Sequence, residues 1–285
     1  MRNSSVNRFI LSSAACLLAG AFAAAQAQKM KAEEVVAKHL ESVGPASARA
    51  AIKNRVVLGT VVITFREPAG QLAGAVVMSS EGERNLIGMN FDNPSYPHEK
   101  VGFDGKDVSV SFVRPGRRSA LGDFLLQHKS IFRQGLVGGT LSDAWPLLRP
   151  AEGKAKIEYS GLKKVNDRPA HALKYLPRGG SDLNITLFFD AETFRHVRTE
   201  YTRTIAAQMG ATPEASSQQR ESRYKLVEDF SDFRPESGLT LPHKHKITLE
   251  MALPAGSYKL DLELDLKEFG FNQDIDPKVF NVEGN

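Results

Sequence analysis

Cysteine is almost absent from this 285-residue chain: Cys16 is the only one. A single thiol cannot close a disulfide within the chain or build a Cys-based zinc site. Excess charge is lacking too, since 37 Lys and Arg stand against 33 Asp and Glu, a formal +4. Nucleic-acid binding needs a concentrated basic face and is not indicated. Outside residues 9–25 no run approaches the 18 apolar residues of a membrane span. Catalytic signatures are missing as well. The chain has no G-x-S-x-G, H-E-x-x-H, Walker A or G-x-G-x-x-G motif. Gly179-Gly180-Ser181-Asp182-Leu183 fails at its fifth position and reads as a β-turn, and Gly135 to Thr140 lacks the lysine of a phosphate loop. What is present, 41% hydrophobic and 25% charged residues, is enough to bury a core and excludes disorder.

The first 27 residues set the expected compartment. Arg2 and Arg8 precede an apolar stretch from Phe9 to Ala25, and Ala25-Gln26-Ala27 fits the A-x-A rule, so export with cleavage after Ala27 is expected. An uncleaved anchor and a lipidated Cys16 are the other readings. Cys16 sits inside the apolar run, before Leu17, Leu18, Ala19 and Gly20, which disfavours lipidation. Residues 28–285 would then form one cysteine-free domain, 285 − 27 = 258 residues long.

Two short helical segments open that domain. Ala32, Val36, Leu40 and Val43 recur at helical spacing up to Gly44-Pro45, and Ala46 to Lys53 follows. The pattern then turns to β: Val56 to Arg66, Gln71 to Ser80, Arg84 to Phe91, His98 to Phe103 and Val108 to Val113. Ser119 to Leu136 interrupts it as one helix, with Leu121, Phe124, Leu125, His128 and Phe132 on one face and Ser119 as N-cap. Gly135, Gly138 and Gly139 after it read as a hinge or turn. Strands resume over Lys156 to Asn166, Pro169 to Leu176, Leu183 to Asp190 and Phe194 to Ile205, and a polar loop is expected over Gln208 to Gln219. Glu221 to Phe230, Leu239 to Met251 and Ser257 to Phe269 finish the chain. In the last, Tyr258, Leu260, Leu262, Leu264 and Leu266 alternate with Lys259, Asp261, Glu263, Asp265 and Lys267, the mark of an antiparallel strand with one wet face. About twelve strands joined by short hairpins, with helices at the start and middle, predict one α+β domain built on a large, strongly curved antiparallel sheet.

Few polar features point to chemistry. His243 and His245 share a strand face, and with His196 from another strand they are weak candidates for a metal site; the competing reading is a hydrogen-bonded or wet pair. Asp261, Glu263 and Asp265 share their face with lysines and read as solvated surface rather than a glycosidase pair. Arg114-Pro115-Gly116-Arg117-Arg118 is a basic turn that could meet anionic lipid or a partner, or simply be a charged loop. Asn184-Ile185-Thr186 matches a glycosylation acceptor but falls within a strand.

A dozen strands make more apolar surface than a few short helices fill, so the sheet either closes into a barrel or leaves a cavity under a helical cover; the competing reading is a tightly packed core with no cavity. The lining of such a cavity would be Val61, Ile63, Phe65, Ile185, Leu187, Phe189, Leu260, Leu262 and Leu264, with Leu121, Phe124, Leu125 and Phe132 opposite. Such a surface suits acyl chains at about 0.8 kcal/mol per buried CH₂. With neither a catalytic set nor a cofactor motif, binding rather than catalysis is expected.

The layout resembles the outer-membrane lipoprotein-sorting (LolA/LolB-like) carriers. The resemblance rests on the export signal, the helix Ala32-Glu33-Glu34-Val35-Val36, the strand from Ile52 to Phe65 (IKNRVVLGTVVITF), the Phe103-Asp104-Gly105-Lys106 turn and the covering helix. Gly180 to Asp190 and Thr193 to Tyr201 resemble the longer variants. It implies an open half-barrel of about 11–12 strands whose concave apolar face is covered by helices, in a soluble periplasmic carrier that shields the acyl chains of a lipoprotein or other lipid on the way to the outer membrane, between membrane-bound donor and acceptor proteins. This chain departs from a minimal carrier by its length. The alternative is a non-catalytic envelope interaction or scaffold module on the same fold.

Overall fold

The computed structural model describes residues 30–66, 69–148, 155–207, 220–254 and 256–283. The expected leader (1–27), its cleavage point and the Gln208 to Gln219 loop lie outside the described residues.

Helices α1 (Ala32–Val43) and α2 (Ala46–Ala51) precede five strands: β1 (Asn54–Arg66), β2 (Ala69–Glu81), β3 (Arg84–Phe91), β4 (His98–Phe103) and β5 (Val108–Val110). Helices α3 (Ala120–Gln127) and α4 (Lys129–Arg133) follow, with two short 3₁₀ turns after them. The remaining strands are β6 (Lys156–Val165), β7 (Arg168–Leu176), β8 (Asn184–Asp190), β9 (His196–Ile205), β10 (Ser222–Glu236), β11 (Leu239–Leu253) and β12 (Gly256–Phe271). All twelve form one sheet in the order β5-β4-β3-β2-β1-β12-β11-β10-β9-β8-β7-β6. The α+β domain with one large antiparallel sheet, expected from the strand pattern, is the observed fold, and the sheet is the open half-barrel that the resemblance implies.

That order explains where the cover comes from. Every neighbour pair is antiparallel and consecutive in the chain, except that β1 pairs with β12. The sheet's two free edges, β5 and β6, are therefore consecutive in sequence, and the chain between them must travel from one edge to the other. It does so across the concave side, and α3, α4 and the 3₁₀ turns are the stations on that path. Register shifts interrupt the ladders in β1 at Leu58/Gly59, between β6 and β7, and between β8 and β9, and such irregularities bend and twist a sheet locally. At the first of these a Cβ on Gly59 would meet the Asp265 carbonyl at 2.3 Å. In β10, Asp232 takes φ 56° and its pairing with β11 lapses for one residue on each strand, but the register is unchanged beyond it, so the strand runs on to Glu236 instead of stopping at Phe230.

Three further expectations are corrected. The helix from Ser119 to Leu136 is two helices, broken at His128 (φ −109°, ψ 39°), whose imidazole lies 3.0 Å from Asp182. The glycines after it are fitted rather than loose. Gly135 (φ 67°) has the Ala144 carbonyl 2.1 Å from where a Cβ would stand, and Gly139 (φ 50°) has the His196 ring at 2.8 Å. Strand β5 also stops at Val110, because the chain then leaves the sheet for the Arg114–Arg117 turn.

Candidate functional site

Alternation decides which residues face the cover. Val61 opposes Leu264, Ile63 opposes Leu262 and Phe65 opposes Leu260 across β1 and β12, and Ile247 and Leu249 of β11 continue the row. On the other limb, Ile185, Leu187 and Phe189 of β8 sit beside Tyr201 of β9 and Leu226 of β10. Strands β2 to β4 add Val76, Met78, Met89 and Val101. From the cover, Leu121, Phe124 and Leu125 of α3 and Ile131 and Phe132 of α4 descend onto this face. All thirteen apolar residues expected to line the concavity fall within or against one continuous cluster; Phe65 alone is only partly buried.

The interior is packed. Leu262, Ile63, Leu187 and Phe132 are 0% exposed, and the gap between β2, β3 and the 137–142 stretch holds only about 10 Å³. A larger groove, about 530 Å³, lies at the end of β10–β12, lined by Arg234, Glu236, His243, Lys244, Asp265 and Lys267. Its charge makes it unsuited to an acyl chain.

A polar knot lies at the centre of the apolar face. Glu228 of β10 is 0% exposed; it accepts hydrogen bonds from the Gly138 N–H (2.7 Å), the Tyr201 hydroxyl (2.9 Å) and His245 Nε2 (2.9 Å). Burial, reinforced by the Glu228 carboxylate, drives the Tyr201 phenol far above its ordinary range. Next to it His196 stacks on Trp145 (4.7 Å) and bonds Thr199 through Nε2 (2.8 Å). His39 of α1 donates from Nδ1 to the Phe194 carbonyl (3.1 Å) and accepts at Nε2 from the Trp145 indole (3.3 Å). Burial lowers the His39 pKa to about 4 and holds His196 well below its usual value.

Three other fastenings hold the cover. Arg55 of β1 donates to the Thr140 carbonyl (2.5 Å) and pairs with Asp143 (3.4 Å), while Ser80 of β2 accepts from the Asp143 N–H (2.8 Å). Asn85 of β3 donates to the Phe132 carbonyl (3.2 Å). Ser119 caps α3 by accepting from the Gly122 N–H (2.8 Å) and donates to the buried Glu99 of β4 (2.7 Å), whose pKa burial raises.

The metal candidates are not brought together. The Phe230 ring lies between His196 (4.8 Å) and His245 (4.7 Å), while His243 turns to the Leu266 carbonyl (3.1 Å) and to Phe269 (4.6 Å). Among the described residues no group of three His, Cys, Asp or Glu side chains could hold a metal ion. On the outer face Glu263 and Asp265 pair with Lys246 and Lys267, as a wet surface should. Asp261 departs from that reading: it is buried and held by Thr248 (2.8 Å) and Arg66 (3.2 Å). No helix among the described residues is long and apolar enough to cross a membrane.

Sequence reading missed Glu228, Arg55 and His39. The signal was present, since Glu228 falls in the apolar phase of Leu226-x-Glu228-x-Phe230, and Arg55 falls in phase with Val57.

No family model and no curated protein matches the chain. Among solved structures it is similar to a LolA superfamily protein from Nitrosomonas europaea (14% identity, 88% of this chain and 98% of that one, TM-score 0.48). It is also similar to a DUF1329 family protein from Desulfovibrio piger (9%, 88% and 97%, TM-score 0.47). A third is an outer membrane lipoprotein-sorting protein domain from Vibrio parahaemolyticus (12%, 86% and 97%, TM-score 0.41).

Proposed function

We propose that this protein is an exported, non-enzymatic carrier that takes up lipid acyl chains, of a lipoprotein or another lipid, between the concave sheet face and the α3–α4 cover. The observation that carries the reading is the single apolar cluster joining the sheet's inner face to a cover made of short helices. Because the face is packed, an acyl chain enters by replacing the cover's side chains. The exchange is near balance. Leu121, Phe124, Leu125, Ile131 and Phe132 contribute about 1.5–3 kcal/mol each, or about 8–15 kcal/mol together, and a sixteen-carbon chain offers about 13 kcal/mol. A carrier that must release its cargo needs that balance. On this reading the thirteen residues of the apolar lining make the contacts, and membrane-bound donor and acceptor proteins would load and unload it.

The filled interior favours a second reading, an envelope interaction module that never opens. One experiment separates the two: lipid extraction and native mass spectrometry of protein expressed with its own leader and purified from the periplasm without detergent. Stoichiometric phospholipid or acylated peptide is expected. A clean mass of the bare chain would defeat the carrier reading in favour of the module.

A further inference from the structure

One feature of the surface is unused by the acyl-chain site. After β5 the chain makes a tight turn, Arg114-Pro115-Gly116-Arg117, closed by reciprocal backbone bonds between Arg114 and Arg117 (3.2 and 2.9 Å). Pro115 in the second position and Gly116 at φ 70° in the third are what such a turn requires. The turn is braced from below: Arg114 Nε donates to the Ser95 carbonyl (3.0 Å), Arg118 Nε to the Val110 carbonyl (3.2 Å), and His98 Nε2 to the Phe112 carbonyl (2.9 Å). Arg114 and Arg117 are exposed, and the Arg118 guanidinium lies 4.1 Å over the ring of Phe112, itself 45% exposed.

The density of unpaired charge marks this turn: among the described residues Arg49, Arg133, Arg178 and Arg195 also have no carboxylate in a salt bridge, but they are scattered along the chain, whereas the turn places three arginines within five residues. Arg66, Arg84, Arg168, Arg198, Arg203, Arg223 and Arg234 each sit against a carboxylate. Among the described residues none of Arg114, Arg117 and Arg118 does. Three unneutralised guanidinium groups on a rigid tip, beside an exposed aromatic ring, match the phosphates and the headgroup-level interior of an anionic bilayer. An acidic protein would use the arginines but has no need of the ring. We propose that the 112–118 tip is a docking surface for anionic lipid membranes. Its position supports this use, because Ser119, the cap of α3, is the next residue, so a docked bilayer meets the chain where the cover begins. The inference rests on the carrier reading for its purpose, not for its test.

The test is sedimentation of the periplasm-purified chain with vesicles of phosphatidylcholine alone or mixed with phosphatidylglycerol, at low and high salt. Binding to the anionic vesicles only, weakened by salt, is expected. A juxtamembrane arginine contributes about fivefold in partitioning, so the double variant Arg114→Gln, Arg117→Gln should bind about 25-fold more weakly. Phe112→Ser should weaken binding at high salt, where the apolar contact remains. Unchanged melting temperatures would show that both variants fold. Failure of the parent chain to bind anionic vesicles, or equal binding by the double variant, overturns the proposal; the first result would turn attention to an acidic protein. Lipid retained by the double variant at the parental level is expected. A chain that binds vesicles but holds no lipid sinks the carrier reading while leaving this one standing.

Discussion

The buried imidazole of His39 makes stability depend on pH in a defined window. Its two nitrogens have partners of fixed character. The Phe194 carbonyl can only accept, so Nδ1 carries the proton; the Trp145 indole can only donate, so Nε2 must be bare. Neutral His39 satisfies both, whereas protonation at Nε2 would set two N–H groups against each other inside the core. Burial accordingly lowers its pKa from the ordinary 6.5 to about 4. The unfolded chain therefore takes up a proton near pH 6.5 that the folded chain refuses until about pH 4. The stabilisation is complete above pH 6.5, declines as pH falls, and levels off below about pH 4. Between neutral pH and about pH 5 the loss from this one group is about 2 kcal/mol, or roughly 4–8 °C in melting temperature for a chain of this size.

Other groups titrate in the same range, His196 among them, so the measurement is a difference. In His39→Gln the amide can donate to the Phe194 carbonyl and accept from Trp145, yet cannot be protonated. Thermal melts of parent and variant across this range should show the parent losing about 2 kcal/mol more than the variant. Parallel pH profiles for the two would refute the assignment of a neutral, doubly bonded His39.

Two further outcomes follow from the same contacts. Glu228→Leu should cost about 3–5 kcal/mol in urea unfolding, because the Tyr201 hydroxyl, His245 and the Gly138 N–H all lose their acceptor; a loss under about 1 kcal/mol would show that the knot is not structural. Gly135→Ala should destabilise the fold by more than the roughly 1 kcal/mol of a left-handed alanine alone, since its Cβ would press on the Ala144 carbonyl, and a melting point equal to the parent's would count against that fit.

Strand existence and phase were legible because most strands, β1, β11 and β12 above all, alternate buried side chains with more exposed ones. His98–Phe103 and Arg84–Phe91 begin and end where the alternation does. Which apolar side chains are buried was legible for the same reason. What the alternation could not carry was the pairing of β1 with β12, which joins residues some 200 positions apart and sets the opening between β5 and β6. The polar knot was hidden differently. Glu228 is an acid in an apolar phase, and only its partners from β9, β11 and the Gly138 turn show how a carboxylate survives there. The break at His128 depended on Asp182, on the far limb of the sheet.

The distribution of fastenings along the cover bears on how it would open. Residues 136–147 are tied by buried polar bonds from Glu228, Arg55 and Ser80, which an incoming acyl chain has no means of replacing. Residues 120–131 are held between Ser119–Glu99 at one end and Asn85–Phe132 at the other, with one polar tie between, from His128 to the half-exposed Asp182; their other buried side chains, Leu121, Phe124, Leu125 and Ile131, are apolar. Those contacts are the ones an acyl chain reproduces. Opening of α3 and the start of α4 should thus cost less than opening of the 136–147 stretch. Amide hydrogen exchange at neutral pH should find the backbone of 123–131 exchanging through a local opening, with 139–147 protected to nearly the global stability. Equal protection of the two stretches would mean that the cover moves as one unit or not at all, and the acyl chain would then need another way in.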